Sequence, residues 1–148
     1  MSSATPDPIL IVDTNVLSEA MRPKPSAIVL RWLAQQPVEC LYTTSITQAE
    51  ILSGIERMPA GRRRRNLYAH AEAMFREDFA GRIFPFASED TAAYAHIAAQ
   101  RKAKGRPLKE FDNQIAAIAR SRGAALATRN IRDFEGCGIR LINPWETK

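Results

Sequence analysis

The feature that most constrains the fold is a continuous apolar run, Ile-Leu-Ile-Val at residues 9–12, which ends directly at Asp13. A strand without polar alternation is typical of a parallel sheet that is covered on both faces. Further short runs follow at residues 40–44, 125–128 and 139–142, and segments with helical periodicity separate them. Strands that alternate with helices in this way predict an α/β fold with a mostly parallel sheet.

Capping residues and stop signals set the bounds of the predicted helices. The helices are predicted over residues 15–21, 26–35, 48–58, 62–75, 88–104 and 110–122. Pro85 lies in one more apolar run, residues 83–86, and predicts an edge strand because proline cannot donate to a central ladder. The 148 residues suit a single domain, with residues 1–8 expected to form a flexible N-terminal segment.

Composition narrows the class of protein. Hydrophobic residues at 45% and charged residues at 25% are typical of a globular domain, and two cysteines exclude both a disulfide scaffold and a four-thiolate zinc site. No apolar run approaches the length of a membrane span, and the N-terminus lacks a secretory pattern, so we expect a cytoplasmic protein with no membrane partner. The formal charge of +5 fits a polyanionic partner.

Acidic residues stand at positions where a parallel sheet binds its ligands. Asp13 follows the first strand directly, and ligands of such sheets bind outside the carboxyl ends of the strands. An Asx turn or a helix cap is the alternative role for Asp13, although Thr14 and Asn15 could provide the cap instead.

Glu50 has two interpretations that its sequence context leaves open. Thr47 and Glu50 have the spacing of a capping box, in which the glutamate reaches back to the start of the helix. Glu50 also flanks an apolar stripe of Ile51, Ile55 and Met58, which would place it beside a packed site.

Asp112 lies on an apolar helix face, because its neighbours three, four and seven residues on are Ile115, Ala116 and Ala119. A buried carboxylate needs a partner or a metal ion, which favours a functional role over a cap in the first helical turn. A further polar group, Arg129, Asn130 and Asp133, follows the strand at residues 125–128.

These acids are predicted to converge at one edge of the sheet. Oxygen ligands without histidine or cysteine suit Mg²⁺ or Mn²⁺ rather than Zn²⁺. The chemistry that such a site supports is phosphoryl transfer.

The motifs together resemble the PIN domain, and more closely the VapC toxins of bacterial toxin–antitoxin pairs in their FitB-like branch. The resemblance covers residues 9–145 and depends on four motifs. They are the strand ending in Asp13-Thr14-Asn15, the pair Thr47 and Glu50, the helix Phe111-Asp112-x-x-Ile115-Ala116-x-x-Ala119, and Thr128-Arg129-Asn130.

This resemblance implies a three-layer α/β/α sandwich and a metal-dependent endoribonuclease. It would be a type II toxin that hydrolyses phosphodiester bonds of tRNA or another structured RNA. Asp13, Glu50 and Asp112 match the catalytic, metal-binding acids of the family, with Mg²⁺ or Mn²⁺ as cofactor. Asn130 stands where many members have a fourth acid, so either Asn130 or Asp133 would complete the ligand set. The orienting residues would be Asn15, Thr47 and Thr128.

The resemblance also implies partners. They are a VapB- or FitA-like antitoxin whose carboxyl-terminal segment covers the acidic pocket, operator DNA bound only through that antitoxin, and a second copy in a homodimer.

A run of four arginines opens one predicted helix: Arg62, Arg63, Arg64 and Arg65. Together with Arg129 it is a candidate track for an RNA backbone. A solvated helix face and a subunit or antitoxin contact are the alternatives.

Two other functions remain to be weighed. One is a catalytically weak regulatory subunit that keeps the fold and acts through a DNA-binding antitoxin, since Asn130 removes one acid. The other is a phosphatase with Asp13 as nucleophile, which ranks last because Asn15 stands where such enzymes place a second aspartate.

Overall fold

A computed structural model describes residues 8–146 of the chain. Five strands form one sheet: β1 (Leu10–Val12), β2 (Leu41–Thr44), β3 (Ile83–Phe84), β4 (Ala125–Ala127) and β5 (Leu141–Ile142). The α-helices of this part of the chain are α1 (Thr14–Ala20), α2 (Ala27–Gln35), α3 (Ser45–Glu56), α4 (Arg62–Ala73), α5 (Thr91–Ala103), α6 (Glu110–Ser121) and α7 (Ile131–Phe134).

The strands run in the order β3-β2-β1-β4-β5, and every neighbouring pair is parallel. The central strand is β1, in which Leu10 pairs with Leu41 on one side and with Ala125 on the other. This arrangement confirms the α/β class predicted from the buried runs, and Pro85 follows an edge strand as expected.

Alternate residues of β1 pack into different cores, which explains why the strand is apolar throughout. Ile11 joins the cluster formed by α5, α6 and α7, where Ile115 is fully buried. Val12 joins the cluster formed by α1 to α4, where Val16 is fully buried. Helices therefore cover both faces of the sheet, and the three-layer α/β/α sandwich is confirmed.

The strand order places a crevice beside β1. The chain adds β2 and β3 on one side of β1 and then crosses over to add β4 and β5 on the other. Ligands of doubly wound sheets bind where the direction of winding reverses, at the carboxyl ends of the strands. The residues that follow β1 and β4, Asp13 and Thr128, lie at this point.

Several predicted bounds were wrong. The third helix begins at Ser45 rather than at residue 48, because Thr44 is its N-cap and accepts a hydrogen bond from the Thr47 amide at 3.1 Å. The helix predicted over residues 62–75 ends at Ala73 and continues as a π-helical segment, Met74–Asp78. The short helix α7 was not predicted.

Two further expectations concern membrane-spanning helices and the N-terminal segment. Within the described residues, no helix combines the length and the hydropathy that crossing a bilayer would need. The flexible segment expected at residues 1–8 lies, apart from the exposed Pro8, outside the described residues.

Candidate active site

Asp13 combines the two roles that its sequence position left open. Its Oδ1 accepts a hydrogen bond from the Thr14 amide at 2.8 Å, so it caps α1. Its Oδ2 accepts a hydrogen bond from the Thr128 hydroxyl at 2.8 Å, across the crevice between β1 and β4. Only 4% of Asp13 is exposed, so a carboxyl group is buried at the edge where doubly wound sheets generally bind ligands.

The Thr128 hydroxyl is directed at Asp13 by its other two contacts. Its oxygen accepts hydrogen bonds from the Asn15 side-chain amide at 3.2 Å and from the Asn130 backbone amide at 3.1 Å. Because a hydroxyl has one hydrogen and two lone pairs, these donors leave its hydrogen for Asp13. Asn15 is itself held by the Arg129 amide, which donates to Asn15 Oδ1 at 3.2 Å.

Glu50 is joined to the same turn through Thr14. The Thr14 hydroxyl donates to Glu50 Oε1 at 2.9 Å, and the hydroxyl oxygens of Thr14 and Thr47 are 3.0 Å apart. The capping-box interpretation of Thr47 and Glu50 was therefore wrong, because Thr44 caps the helix and the Glu50 carboxylate faces Thr14. Thr47 is fully buried behind this pair.

Asp112 lies in the first turn of α6, as predicted, and is half-buried rather than fully buried. Burial raises the pKa of Asp112, and the negative charges of Glu50 and Asp133 raise this pKa further, while Lys109 opposes the rise. Asp112 therefore lies within electrostatic reach of acids from α3 and α7.

The pKa of Asp13 depends on acids of the same group. Burial raises the pKa of Asp13 to about 6, the hydrogen bonds from Thr128 and Thr14 lower it, and the charges of Asp112 and Glu50 raise it. Mutual repulsion of this kind is relieved when a cation enters a carboxylate cluster. The structure thus brings Asp13, Glu50 and Asp112 into one electrostatic neighbourhood.

The two candidates for a fourth ligand lie at the rim of this neighbourhood. Asp133 and Asn130 are both exposed, and they lie in and directly before α7. Asp133 acts on Asp112 through its charge, whereas the contact of Asn130 with the site is the backbone hydrogen bond to Thr128.

The donor set was compared with the needs of a divalent ion. Among residues 8–146, no three His, Cys, Asp or Glu side chains are arranged so that they could hold a metal ion by themselves. Mg²⁺ does not require such a cage, because it keeps several waters and is bound by one or two carboxylates. Buried and half-buried carboxylates with raised pKa values, free of histidine and cysteine, fit Mg²⁺ or Mn²⁺.

A groove of about 880 Å³ opens beside the carboxylates, between α1, α3 and α4. Its wall contains Glu50 near the start of α3 and Met58 just past the end, so it extends about 12 Å along the helix. Arg62 and Arg63 line the Met58 end, away from the acids.

Two of the other arginines that were predicted to bind RNA, Arg64 and Arg129, contact groups within the chain. Arg64 donates to the backbone oxygens of Glu56 and Met58, at 3.4 and 3.3 Å, and so satisfies carbonyls at the end of α3. Arg65 is exposed. The Arg129 guanidinium lies 4.8 Å from the centre of the Trp145 ring, which holds it next to the crevice.

Comparisons with known proteins agree with this geometry. The PIN domain family matches residues 10–136. The chain is 41% identical to the plasmid stability protein StbB of Pseudomonas syringae and 39% identical to the VapC ribonuclease Y4jK of Sinorhizobium fredii, in each case over 93% of this chain and 99% of the relative. A solved structure of FitAB bound to an IR36 DNA fragment superposes with a TM-score of 0.88 at 34% identity, over 95% of this chain and 98% of that one.

The chain therefore belongs to the PIN domain family. Its similarity to VapC and FitB proteins places it in the VapC branch of that family and confirms the resemblance found in the sequence.

Proposed function

We propose that this chain is a PIN-domain endoribonuclease, the toxin of a type II toxin–antitoxin pair, built as one domain and active in the cytoplasm. It hydrolyses phosphodiester bonds of RNA, with tRNA as the first substrate to test. The observation that carries the proposal is the buried Asp13 at the point where the sheet reverses its winding, joined to Glu50 through Thr14. Asp112 is near enough for its charge to raise the pKa of Asp13, and the charge of Glu50 raises the pKa of Asp112. The 39% identity to a VapC ribonuclease supports it.

Asp13, Glu50 and Asp112 would hold a divalent cation, Mg²⁺ or Mn²⁺, in part through its bound waters, with Asp133 or Asn130 beside them at the rim. When bound, such an ion supplies positive charge to the scissile phosphate and lowers the pKa of water. The protein contributes fixed orientation. Thr128 and the Thr14 amide hold both oxygens of Asp13, so the carboxylate meets its ligand without reorganising.

Hydrogen bonding also fixes the second acid. Because Thr14 donates to Glu50 through its hydroxyl and to Asp13 through its amide, one residue sets the positions of two carboxylates. Thr47 restrains Thr14, and Asn15 restrains Thr128, each through a side-chain hydrogen bond. We propose these four polar side chains, Thr14, Asn15, Thr47 and Thr128, as positioning residues.

We further propose that a FitA- or VapB-like antitoxin inhibits the chain by occupying the groove along α3, and that operator DNA is bound through this partner. The FitAB complex on DNA supports this assignment. The groove supports it too, since it leads from an apolar wall at Ile55 and Met58 to the carboxylate at Glu50. A homodimer of the chain remains part of the proposal, by resemblance to the family.

Cleavage of total tRNA by the purified protein tests the activity, with Mg²⁺, with Mn²⁺ and with EDTA. We expect cleavage with either ion and none in EDTA. Asp112→Asn is expected to reduce the rate at least about 100-fold, because the ion loses a charged ligand. Glu110→Gln is the matched control. It removes an acid from the same helical turn, but Glu110 accepts hydrogen bonds from Tyr94, at 2.6 Å, and from Gln114 and is not a proposed metal ligand, so the rate should change little.

Two results would contradict the proposal. A folded Asp112→Asn protein with undiminished cleavage would remove the assigned site. Absence of cleavage at every metal concentration, combined with operator binding by the toxin–antitoxin complex, would favour the regulatory subunit instead.

A further inference from the structure

The last residues of α5 and the segment between α5 and α6 form the most basic stretch of the described chain that the proposed function has not used. Residues 101–109 contain five cations and no acid: Arg101, Lys102, Lys104, Arg106 and Lys109. Lys104, Arg106 and Lys109 are exposed, and the ion pairs formed within residues 8–146 do not include them. Their charge is thus available to an outside anion.

The segment leads directly to the carboxylates. It joins α5 to α6, two helices that pack against each other, and Asp112 lies in the first turn of α6. Lys109 directly precedes that turn and is close enough for its charge to lower the pKa of Asp112. A polyanion bound along the segment would therefore pass beside the proposed catalytic site.

The segment is anchored at both ends and by one apolar side chain. Gly105 follows α5 in a left-handed conformation, φ +69°, and its amide donates to Lys102 O at 3.0 Å. Leu108 packs into the core cluster that contains Ile115. The Lys109 carbonyl accepts a hydrogen bond from the Asn113 amide at 2.9 Å and starts α6. The cations therefore project from a short loop that is tied to the body of the protein.

An exposed aromatic side chain completes the surface. Phe111 lies between Glu110 and Asp112 in the first turn of α6, and 51% of it is exposed. Cations that contact phosphates, together with an aromatic face on which a base can stack, are typical of surfaces that bind single-stranded nucleic acid.

We propose that residues 104–111 form the substrate rim of this protein: Lys104, Arg106 and Lys109 bind phosphates of the RNA, and Phe111 stacks on an unpaired base next to the cleaved bond. The inference rests on the proposed ribonuclease activity and adds the surface that would hold the substrate beside the carboxylates.

The rim differs from the arginine track predicted from the sequence. Arg62 and Arg63 lie at the end of the groove away from the acids, and Arg64 is engaged with carbonyls of α3. Removing three positive charges from the rim, or three from the arginine track, gives two variants with the same net charge. We expect them to differ in RNA affinity.

Binding is measured by fluorescence anisotropy of a labelled single-stranded RNA in EDTA, which withholds divalent ions and so separates binding from cleavage. The variant Lys104→Gln/Arg106→Gln/Lys109→Gln is expected to bind at least about tenfold more weakly at moderate salt. Its plot of log affinity against log salt should be shallower by about 2, since each lost phosphate contact removes about 0.7. The control Arg62→Gln/Arg63→Gln/Arg65→Gln should change affinity less than about twofold.

Phe111→Leu tests the stacking contact while keeping an apolar side chain. We expect roughly 5- to 100-fold weaker binding of the single strand and no change for a fully paired duplex of the same length. Circular dichroism and thermal melting of each variant establish that it is folded.

The outcomes separate this inference from the function beneath it. The rim would be overturned if both charge variants lost RNA affinity equally, or if only the arginine control lost it. It would also be overturned if the rim variant kept its RNA affinity but changed its sedimentation coefficient, which would identify a contact between copies of the chain. Binding through the rim without cleavage at any metal concentration would contradict the nuclease, and cleavage without any effect of the rim variants would leave the nuclease in place.

Discussion

Thr128 donates a hydrogen bond of 2.8 Å to Asp13 although 115 residues separate them in the chain. The bond spans the ends of two adjacent strands, β1 and β4, and its donor is oriented by Asn15 and Asn130. A hydrogen bond to the ionised form of a carboxylate lowers its pKa. The Thr128 hydroxyl therefore opposes the burial that raises the pKa of Asp13.

Thr128→Val removes this hydroxyl with little change in shape. In the metal-free protein the pKa of Asp13 should rise by roughly one unit, because the ionised carboxylate loses a donor; carboxyl NMR titration in EDTA measures it. Thr128→Ser keeps the donor and should restore the natural pKa. Equal pKa values for the valine and serine variants would contradict this role.

Asp13→Asn should stabilise the metal-free protein at alkaline pH. The folded pKa of Asp13, about 6, is above the unfolded value of 3.8. Below pH 3.8 Asp13 is protonated in both the folded and the unfolded protein. Between pH 3.8 and 6 the unfolded state releases this proton first, so stability falls. Above pH 6 the buried charge costs the folded state roughly 3 kcal/mol. Asparagine avoids this cost but retains one acceptor oxygen, so we expect a net gain of about 1–3 kcal/mol at pH 8.

Chemical denaturation in EDTA measures that gain at several pH values. The stability difference between Asp13→Asn and the natural protein should shrink towards pH 4. Asp133→Asn, at an exposed position, is the control and should change stability little at any pH. A difference for Asp13→Asn that stays constant from pH 4 to pH 8 would exclude titration of Asp13 as the cause.

Divalent ions should stabilise the protein by mass action. A ligand at 100 times its dissociation constant adds about 2.7 kcal/mol to the free energy of unfolding. The melting temperature should therefore rise with Mg²⁺ or Mn²⁺, and Asp112→Asn should abolish most of the rise while Glu110→Gln should not. An Asp112→Asn protein that responds like the natural one would place the ion elsewhere.

Asn130→Asp tests the fourth ligand position. It adds a carboxylate at the rim, where the side chain is exposed and carries little desolvation cost. The Mn²⁺ concentration that gives half-maximal cleavage should fall several-fold, because an additional anionic oxygen strengthens binding of a hard cation. Asn130→Ala is the control, since it removes the amide without adding charge and should not lower that concentration.

The sequence predicted the parts of the fold that depend on burial. A strand such as β1, apolar at every position, requires cover on both faces, and this predicted a mostly parallel sheet between helices; its place at the centre of the sheet is seen in the structure. Asp13 could be placed at the site for the same reason, because the end of a central parallel strand is fixed by the topology.

Contacts between distant side chains could not be predicted. Thr44 and Thr47 are both suitable caps for α3, and local propensity does not choose between them. In the structure Thr44 is the cap, and Glu50 instead accepts a hydrogen bond from the hydroxyl of Thr14, 36 residues earlier in the chain. The proposed substrate rim, residues 104–111, was not predicted as a binding surface, because a basic loop has no motif of its own. Only the structure shows that its cations and its aromatic residue are all exposed: Lys104, Arg106, Lys109 and Phe111.

The order of the strands has a consequence for assembly of the proposed active site. Residues 10–84 supply three of the five strands and two of the acids, yet the central strand stays open on one side until residues 125–127 insert next to it. A chain that has folded only its first three strands has neither Asp112 nor Thr128 beside Asp13. The proposed active site is therefore completed only when β4 pairs with β1, so assembly of the site is tied to the closing of the sheet.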